Sequence, residues 1–346
     1  MKGRNAMSNG SQIFAPCTDG MRLGLGGAPL GNLFRPVTDE TAGSLLQAAL
    51  ADGCRCFDTA PHYGHGLSEH RMGSALRKAP AEMTLSTKVG RILTANREAA
   101  RTQNGYLDIL PFNQHWDYSA EGIRRSVEDS LQRLGRAALG AVFIHDCDRA
   151  NHGEAYPKVL EQVIGEAIPE LLRLKNEGLI TAIGLGVNDV QVCLDVLACV
   201  ELDCLLLAGR YTLLDQEALG SLMPLCAESG IRVAIGGVFN SGILATGVKQ
   251  SVGAPIFNYA AAPAHWIEKA RQLEALCDAY SVPLRAAALQ FPLAHPAVEI
   301  VVIGAHELQH WIDAREMMRF SIPLGFWREL RSRGLVAENA PLPEGA

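Results

Sequence analysis

Cys54-Arg55-Cys56-Phe57-Asp58-Thr59-Ala60-Pro61-His62-Tyr63-Gly64 is the stretch whose reading decides this fold. Its apolar start stops on a carboxylate, Asp58, and a phenol, Tyr63, follows on the other side of Pro61. Proline has no N–H for a ladder, so no strand continues through Pro61, and Gly64 marks a turn. The segment therefore reads as strand (Cys54 to Phe57), loop, and a new helix from Leu67 or Ser68 to Leu76. A charged group where a buried strand ends, with a phenol on the following loop, suits proton transfer. An ordinary strand exit has the same appearance, and the neighbouring segments must separate the two.

Outward from it the same pattern repeats. Met21 to Gly26 reads as a first strand, and Thr38-Asp39-Glu40 opens a helix through about Ala51 with Ala42, Leu45, Leu46 and Ala49 at helical spacing. Met83 to Lys88 is a third strand ending on a charge, and Leu139 to Ile144 a fourth ending at His145. Between them an amphipathic helix spans Ala120 to Leu134. Strands Ile180–Leu185, Asp203–Leu207, Arg232–Ile235 and Glu299–Ile303 follow, separated by helices, and a final helix starts near His306. Strands rich in Val, Ile and Leu with little alternation belong to a parallel sheet buried on both faces. Eight such strand–helix units favour a (β/α)8 TIM barrel over an open sheet. The expected organisation is a tail and turn over 1–20, one barrel domain over 21–346, and a long active-site loop at about 89–118.

The 346 residues, 48% hydrophobic and 20% charged, suffice for that core, and a barrel takes this length as one domain. A net charge of −6 offers no footprint for nucleic acid or anionic membrane, and no apolar run approaches the ~20 residues of a membrane-spanning helix. The first eleven residues lack a signal-peptide core. Nine cysteines, mostly in apolar runs, fit reduced buried thiols in a cytoplasmic protein, and their spacing gives no zinc site. The expected partner is a small molecule, with the chain a monomer or small homo-oligomer.

Four titratable residues fall at the C-terminal ends of strands or on the loops after them, where barrels keep their chemistry: Asp58, Tyr63, Lys88 and His145. Singly, each has a plain account: a turn cap, a packing tyrosine, a snorkelling lysine, a satisfied histidine. Converging on one barrel face, they read as a catalytic group. A phenol with pKa about 10 is too weakly acidic to be a base at neutral pH, and an adjacent ammonium favours its anion. Asp58 would hold Lys88, and His145 would donate to the substrate oxygen. Such a shuttle needs no metal and no covalent nucleophile.

FDTAPHYG (57–64), GLSE (66–69), STKVGR (86–91), RSVEDSLQRLG (125–135) and FIHD (143–146) together resemble the aldo-keto reductase superfamily, and the likeness runs over nearly all of the chain beyond Met21. The resemblance implies the barrel, a nicotinamide cofactor bound without a Rossmann domain, and the tetrad carried by Asp58, Tyr63, Lys88 and His145. LLAGRYTLLDQ (206–216), GGVFNSGIL (236–244), GLGGAPLG (24–31) and DYS (117–119) are similar to a narrower branch of aldose 1-dehydrogenases and pyridoxal 4-dehydrogenases.

By the same resemblance, Gly26 and Gly27 let the backbone approach the nicotinamide and Asn188 meets its carboxamide. Here Gly186-Val187-Asn188 replaces the family's Ser-Asn pair, and Ala208 stands where many relatives have glutamine. Phe239 would stack on the nicotinamide, while Asn240, Ser241, Gly242 and Leu244 would wrap the pyrophosphate. Gly304, Ala305 and His306 would open a helix onto the adenosine phosphate. Relatives place Arg or Lys there for a 2′-phosphate, whereas residues 304–314 contain Glu307 and Asp313 and neither cation. A dianion facing carboxylates is disfavoured, so NAD is preferred; NADP remains possible through protonated His306 and His310. Phe34, His62 and Trp116 are substrate-binding candidates, with packing as their alternative. The expected reaction is oxidation of the hemiacetal carbon of an aldose (L-fucose, D-arabinose or L-galactose type) to a lactone. Pyridoxal, also a cyclic hemiacetal, would give 4-pyridoxolactone by the same step. The rivals are an NADPH-linked carbonyl reductase and a non-catalytic nucleotide-binding barrel.

Overall fold

Eight parallel strands close on themselves in sequence order: β1 Leu23–Gly26, β2 Cys56–Asp58, β3 Thr84–Val89, β4 Leu139–His145, β5 Ile180–Val187, β6 Cys204–Ala208, β7 Arg232–Gly236 and β8 Val298–Gly304. The computed structural model describes residues 12–80, 82–249, 254–258 and 260–344. Closure is made by β1, which pairs with both β8 (Gly26↔Gly304) and β2 (Gly26↔Asp58). The expected (β/α)8 barrel is the observed fold.

Two cores follow from the alternation of strand side chains. One face points into the barrel, where Cys56, Ala141, Phe143, Ala182, Cys204, Leu206, Ala234, Ile300 and Val302 pack together. The other face meets the helical ring, as with Leu25, Phe57, Leu85, Val142, Leu205 and Val233. Residues 12–20 cross the N-terminal end of the barrel. There Phe14 is buried, stacks on Phe143 with centroids 6.3 Å apart, and its backbone N–H donates to Glu299 at 3.1 Å. Phe14 thus plugs the end opposite the strand-end carboxylate.

Helices form where the sequence supplies caps. Thr38 accepts from the N–H of Thr41 ahead of helix Asp39–Ala51, and Ser119 accepts from Gly122 ahead of helix Ala120–Leu134. The last barrel helix begins at Leu308, two residues beyond the expected His306, with Glu307 in the N-cap position. A further helix, Leu324–Ser332, packs Phe326, Trp327 and Leu330 inward.

The long loop after β3 is not irregular. Arg91–Ala95 pairs antiparallel with Phe112–Trp116, and inside this ribbon Thr102–Gln103 pairs with Tyr106–Leu107. Asn104 and Gly105, at φ 52° and 79°, make the two-residue turn of the inner hairpin. Gly90, at φ 101°, turns the chain out of β3; a Cβ there would sit 2.3 Å from the Tyr118 ring. Among the described residues no helix is long and apolar enough to cross a membrane. All nine cysteines are free thiols, with only Cys199 exposed.

Candidate active site

Asp58 ends β2, Lys88 is the penultimate residue of β3, His145 ends β4, and Tyr63 lies on the loop after β2. Parallel closure brings all four to one rim. Lys88 Nζ lies 2.6 Å from Asp58 Oδ2 and donates to the Thr59 carbonyl at 2.8 Å, while Ser86 Oγ donates to Asp58 Oδ1 at 2.8 Å. The same ammonium stands 4.7 Å from the centre of the Tyr63 ring. Tyr63 meets His145 edge-on at 6.1 Å between centroids. Burial pushes the Asp58 carboxyl upward, and the Lys88 ammonium and Ser86 hydroxyl pull against it. Burial, helped by the Arg91 and Lys88 cations, holds the His145 imidazole well below its ordinary value and therefore neutral.

Two residues without an assigned role complete this rim. Arg91, 7% exposed, donates Nη1 to His145 Nδ1 at 2.8 Å and Nη2 to Asp146 Oδ2 at 2.8 Å. Its guanidinium lies flat on Trp116, 3.8 Å from the ring centre. Both residues were visible in the STKVGR and FIHD motifs; no chemistry readable from spacing alone would have paired them.

Residues 22–332 match the aldo/keto reductase family model. The chain is an aldo-keto reductase. It is 42% identical over 326 residues to pyridoxal 4-dehydrogenase of Microbacterium luteolum, covering 91% of this chain and 94% of that one. It is 36% identical over 319 residues to D-threo-aldose 1-dehydrogenase of a Pseudomonas species, with the same two coverages, 91% and 94%. Among solved structures, the holo form of an aldo-keto reductase from Bacillus halodurans superposes with a TM-score of 0.70 at 23% identity, covering 93% of this chain and 94% of that one. That last likeness speaks to fold alone.

Aldo-keto reductases use nicotinamide cofactors, and the cavity above the tetrad has the form to take one. A space of about 780 Å³ over Asp58, Tyr63, Lys88 and His145 continues into a second of about 420 Å³, through shared walls that include Ala28, Asn188, Ala208, Gly237 and Gly304. Side-chain-free backbone at Gly26, Gly27, Gly186, Gly236 and Gly237 lines the first, so a flat ring can approach the barrel mouth. The second runs past Phe239, Asn240, Ser241 and Gly242 to Arg285, His306, His310 and Asp313. A dinucleotide fits such an elongated cleft.

The other expected cofactor residues divide. Asn188 lies between the two spaces, with its carbonyl taken by Arg210 Nε at 2.7 Å. Asn240 spends its amide internally, accepting from Thr212 Oγ1 at 2.7 Å and donating to the Gly209 carbonyl at 3.2 Å. Leu244 and Ala305 belong to the core between barrel and helices and line neither space. His306 bonds the Leu33 carbonyl at 2.9 Å and burial lowers its pKa. His310 lies 3.2 Å from Glu307, so both imidazoles already have protein partners.

Cations missing from 304–314 arrive from elsewhere in the sequence. Arg285 lines the smaller cavity, held by both oxygens of Asp313 at 2.8 and 2.9 Å, and Arg35, outside either cavity, lies 3.4 Å from Glu307. A count within one window could not see them; the packing of helix Leu284–Gln290 on the helix after β8 supplies Arg285, and the segment after β1 supplies Arg35.

Of the expected substrate residues, Phe34 (55% exposed) and Trp116 (42%) line the larger space, where the Trp116 ring already carries the Arg91 guanidinium at 3.8 Å and stacks on Tyr118 at 5.8 Å. His62 bonds Gln114 Oε1 at 2.8 Å and packs against Tyr106 and His145 at 5.2 and 5.8 Å. Burial and the nearby Arg91 cation lower its pKa to about 3. Gln103, Asn104, Gln114, His115 and Asn151 add polar groups from the two hairpins and the loop after β4.

Proposed function

We propose that this aldo-keto reductase is an NAD-dependent dehydrogenase that oxidises the hemiacetal carbon of a cyclic aldose of the L-fucose, D-arabinose or L-galactose type to a lactone. The observation that carries the reading is the Asp58–Lys88 pair, 2.6 Å apart and buried, with its ammonium against Tyr63 and a neutral His145 opposite. Asp58 keeps Lys88 charged and in place. Lys88 stabilises negative charge on the phenol, so that Tyr63 can take the hydroxyl proton of the substrate. Neutral His145 donates to the same oxygen and orients it. A bound nicotinamide supplies the hydride acceptor.

The wall chemistry supports a polyhydroxylated ring: amides for hydroxyl groups (Gln103, Asn104, Gln114) and the exposed ring of Phe34 for an apolar sugar face. NAD over NADP is supported by Asp313, which already occupies Arg285, the arginine of the smaller cavity. A second reading, pyridoxal oxidation, is favoured by the 42% identity to an enzyme named for it, and it asks for the same atoms at the reacting carbon. The test is NADH release at alkaline pH across L-fucose, D-arabinose, L-galactose and pyridoxal, with products weighed by mass spectrometry. A lactone from an aldose supports the first reading and 4-pyridoxolactone alone the second. Turnover confined to carbonyl reduction with NADPH would refute both.

A further inference from the structure

An arginine side chain can only donate hydrogen bonds, and it stays charged inside a protein. Arg91 Nη1 donates to His145 Nδ1 at 2.8 Å, so that nitrogen must carry the lone pair and Nε2 the proton. The carboxylate sits on the matching side: Asp146 Oδ2 is 3.5 Å from Nε2 and 2.8 Å from Arg91 Nη2. A second, independent feature points the same way. Asp146 holds φ at +48°, a left-handed conformation that non-glycine residues seldom adopt, immediately after a barrel strand. That turn returns its carboxylate toward Arg91 rather than outward along the strand, and such strain gathers where function over-determines geometry. Trp116 under the guanidinium at 3.8 Å and burial to 7% exposure fix the remaining freedom of Arg91.

We infer that Arg91, anchored by Asp146 and Trp116, is a positioning residue that fixes His145 as the neutral Nε2–H tautomer, the form able to donate to the reacting oxygen. The inference deepens the proposed function and rests on its assignment of His145 as that donor. The groups facing the imidazole, namely Lys88, Arg91, His62 and Asp146, leave it one proton and decide which nitrogen bears it. Lys88 and Arg91 oppose a second proton, and Arg91 denies the first to Nδ1.

The experiment is a long-range ¹H–¹⁵N spectrum of the full-length chain labelled at histidine, with His145→Gln used to assign the ring. The wild-type spectrum should show a pyridine-type Nδ1 and a pyrrole-type Nε2; the reverse pattern overturns the inference without any variant. Arg91→Met should mix the tautomers and lower kcat about 100-fold, the range of a lost general acid–base contribution, while cofactor affinity holds. Arg91→Lys, keeping one donor, should restore much of both signals. An Arg91→Met protein with an unmixed Nε2–H signal, or with KM raised and kcat intact, would contradict the assignment and make Arg91 a substrate contact instead. If Arg91→Met does not fold, Asp146→Asn gives the same readings in milder form, and an unchanged spectrum there counts against the anchor. Full turnover in His145→Gln beside the expected wild-type spectrum would break the proposed function and leave the tautomer assignment standing.

Discussion

Lys88→Met is the perturbation that most tightly couples this geometry to rate. The ammonium lies 4.7 Å from the Tyr63 ring centre, inside a site walled off by the barrel. With the anion's charge placed at the ring centre and the Asp58 counter-charge left aside, a unit charge at that distance stabilises it by at most about 3.5 kcal/mol at an effective dielectric of 20. At 1.36 kcal/mol per tenfold in rate, the loss is at most about 400-fold in kcat for alcohol oxidation. Stability should fall less than the burial of this pair suggests. Removing Lys88 leaves Asp58 with the Ser86 hydrogen bond, and a carboxyl already pushed upward by burial takes a proton and becomes neutral. Asp58→Asn is the harsher change, because it strands a buried ammonium, and such a loss costs about 3–5 kcal/mol. Steady-state NADH formation from pH 7 to 10, with nicotinamide affinity followed by fluorescence, reads the first effect; urea unfolding reads the second. A Lys88→Met enzyme within tenfold of wild type, or one whose deficit vanishes at saturating substrate, would refute the electrostatic reasoning.

Other consequences are as direct. Asp313→Asn should release Arg285 from its bidentate partner and raise the NADP-to-NAD ratio of kcat/KM about tenfold, with the gain also visible in equilibrium NADP binding. Acid should unfold the protein partly through His62. Its folded pKa of about 3 lies below the ordinary 6.5, so its contribution is complete above pH 6.5 and is lost as pH falls toward 3. The slope is at most about 1.4 kcal/mol per pH unit, and urea midpoints of His62→Gln between pH 4 and 6 should be correspondingly flatter. Phe14→Ala, which empties the barrel floor against Phe143, should cost about 3–5 kcal/mol in urea unfolding with kcat unchanged.

The barrel was legible because most strands are buried on both faces and carry short apolar runs bounded by turn residues, as at 141–144, 204–207 and 300–303, while β1 to β3 were legible from their place in the strand–helix alternation. The tetrad was legible for the related reason that a charge at the end of such a run is conspicuous, as at Asp58, Lys88 and His145. What stayed hidden depends on tertiary placement. The ribbon from Arg91 to Trp116 has no clean alternation, since Arg91, Ile92 and Leu93 are buried in succession while Phe112–Trp116 is partly to fully exposed along its length, so the segment reads as a loop. Phe14 sits in a short apolar stretch, Ile13 to Cys17, that shows no helix or strand period, and it becomes a core residue because the closed barrel has an end to fill. Arg285 lies some twenty residues before the segment 304–314 from which cofactor choice is read, and the shift of the last barrel helix to Leu308 places Ala305 in the core rather than at a helix start. Arg91 was on view in a quoted motif, yet its partner His145 is 54 positions away.

Tyr63 is the group proposed to take the proton, and Tyr63→Phe tests that role most directly, with NADH formation and the nicotinamide dissociation constant measured on the same preparation. Removal of one oxygen should abolish turnover on every substrate the wild type accepts and leave cofactor binding nearly unchanged. Turnover retained in the phenylalanine enzyme would contradict the account outright.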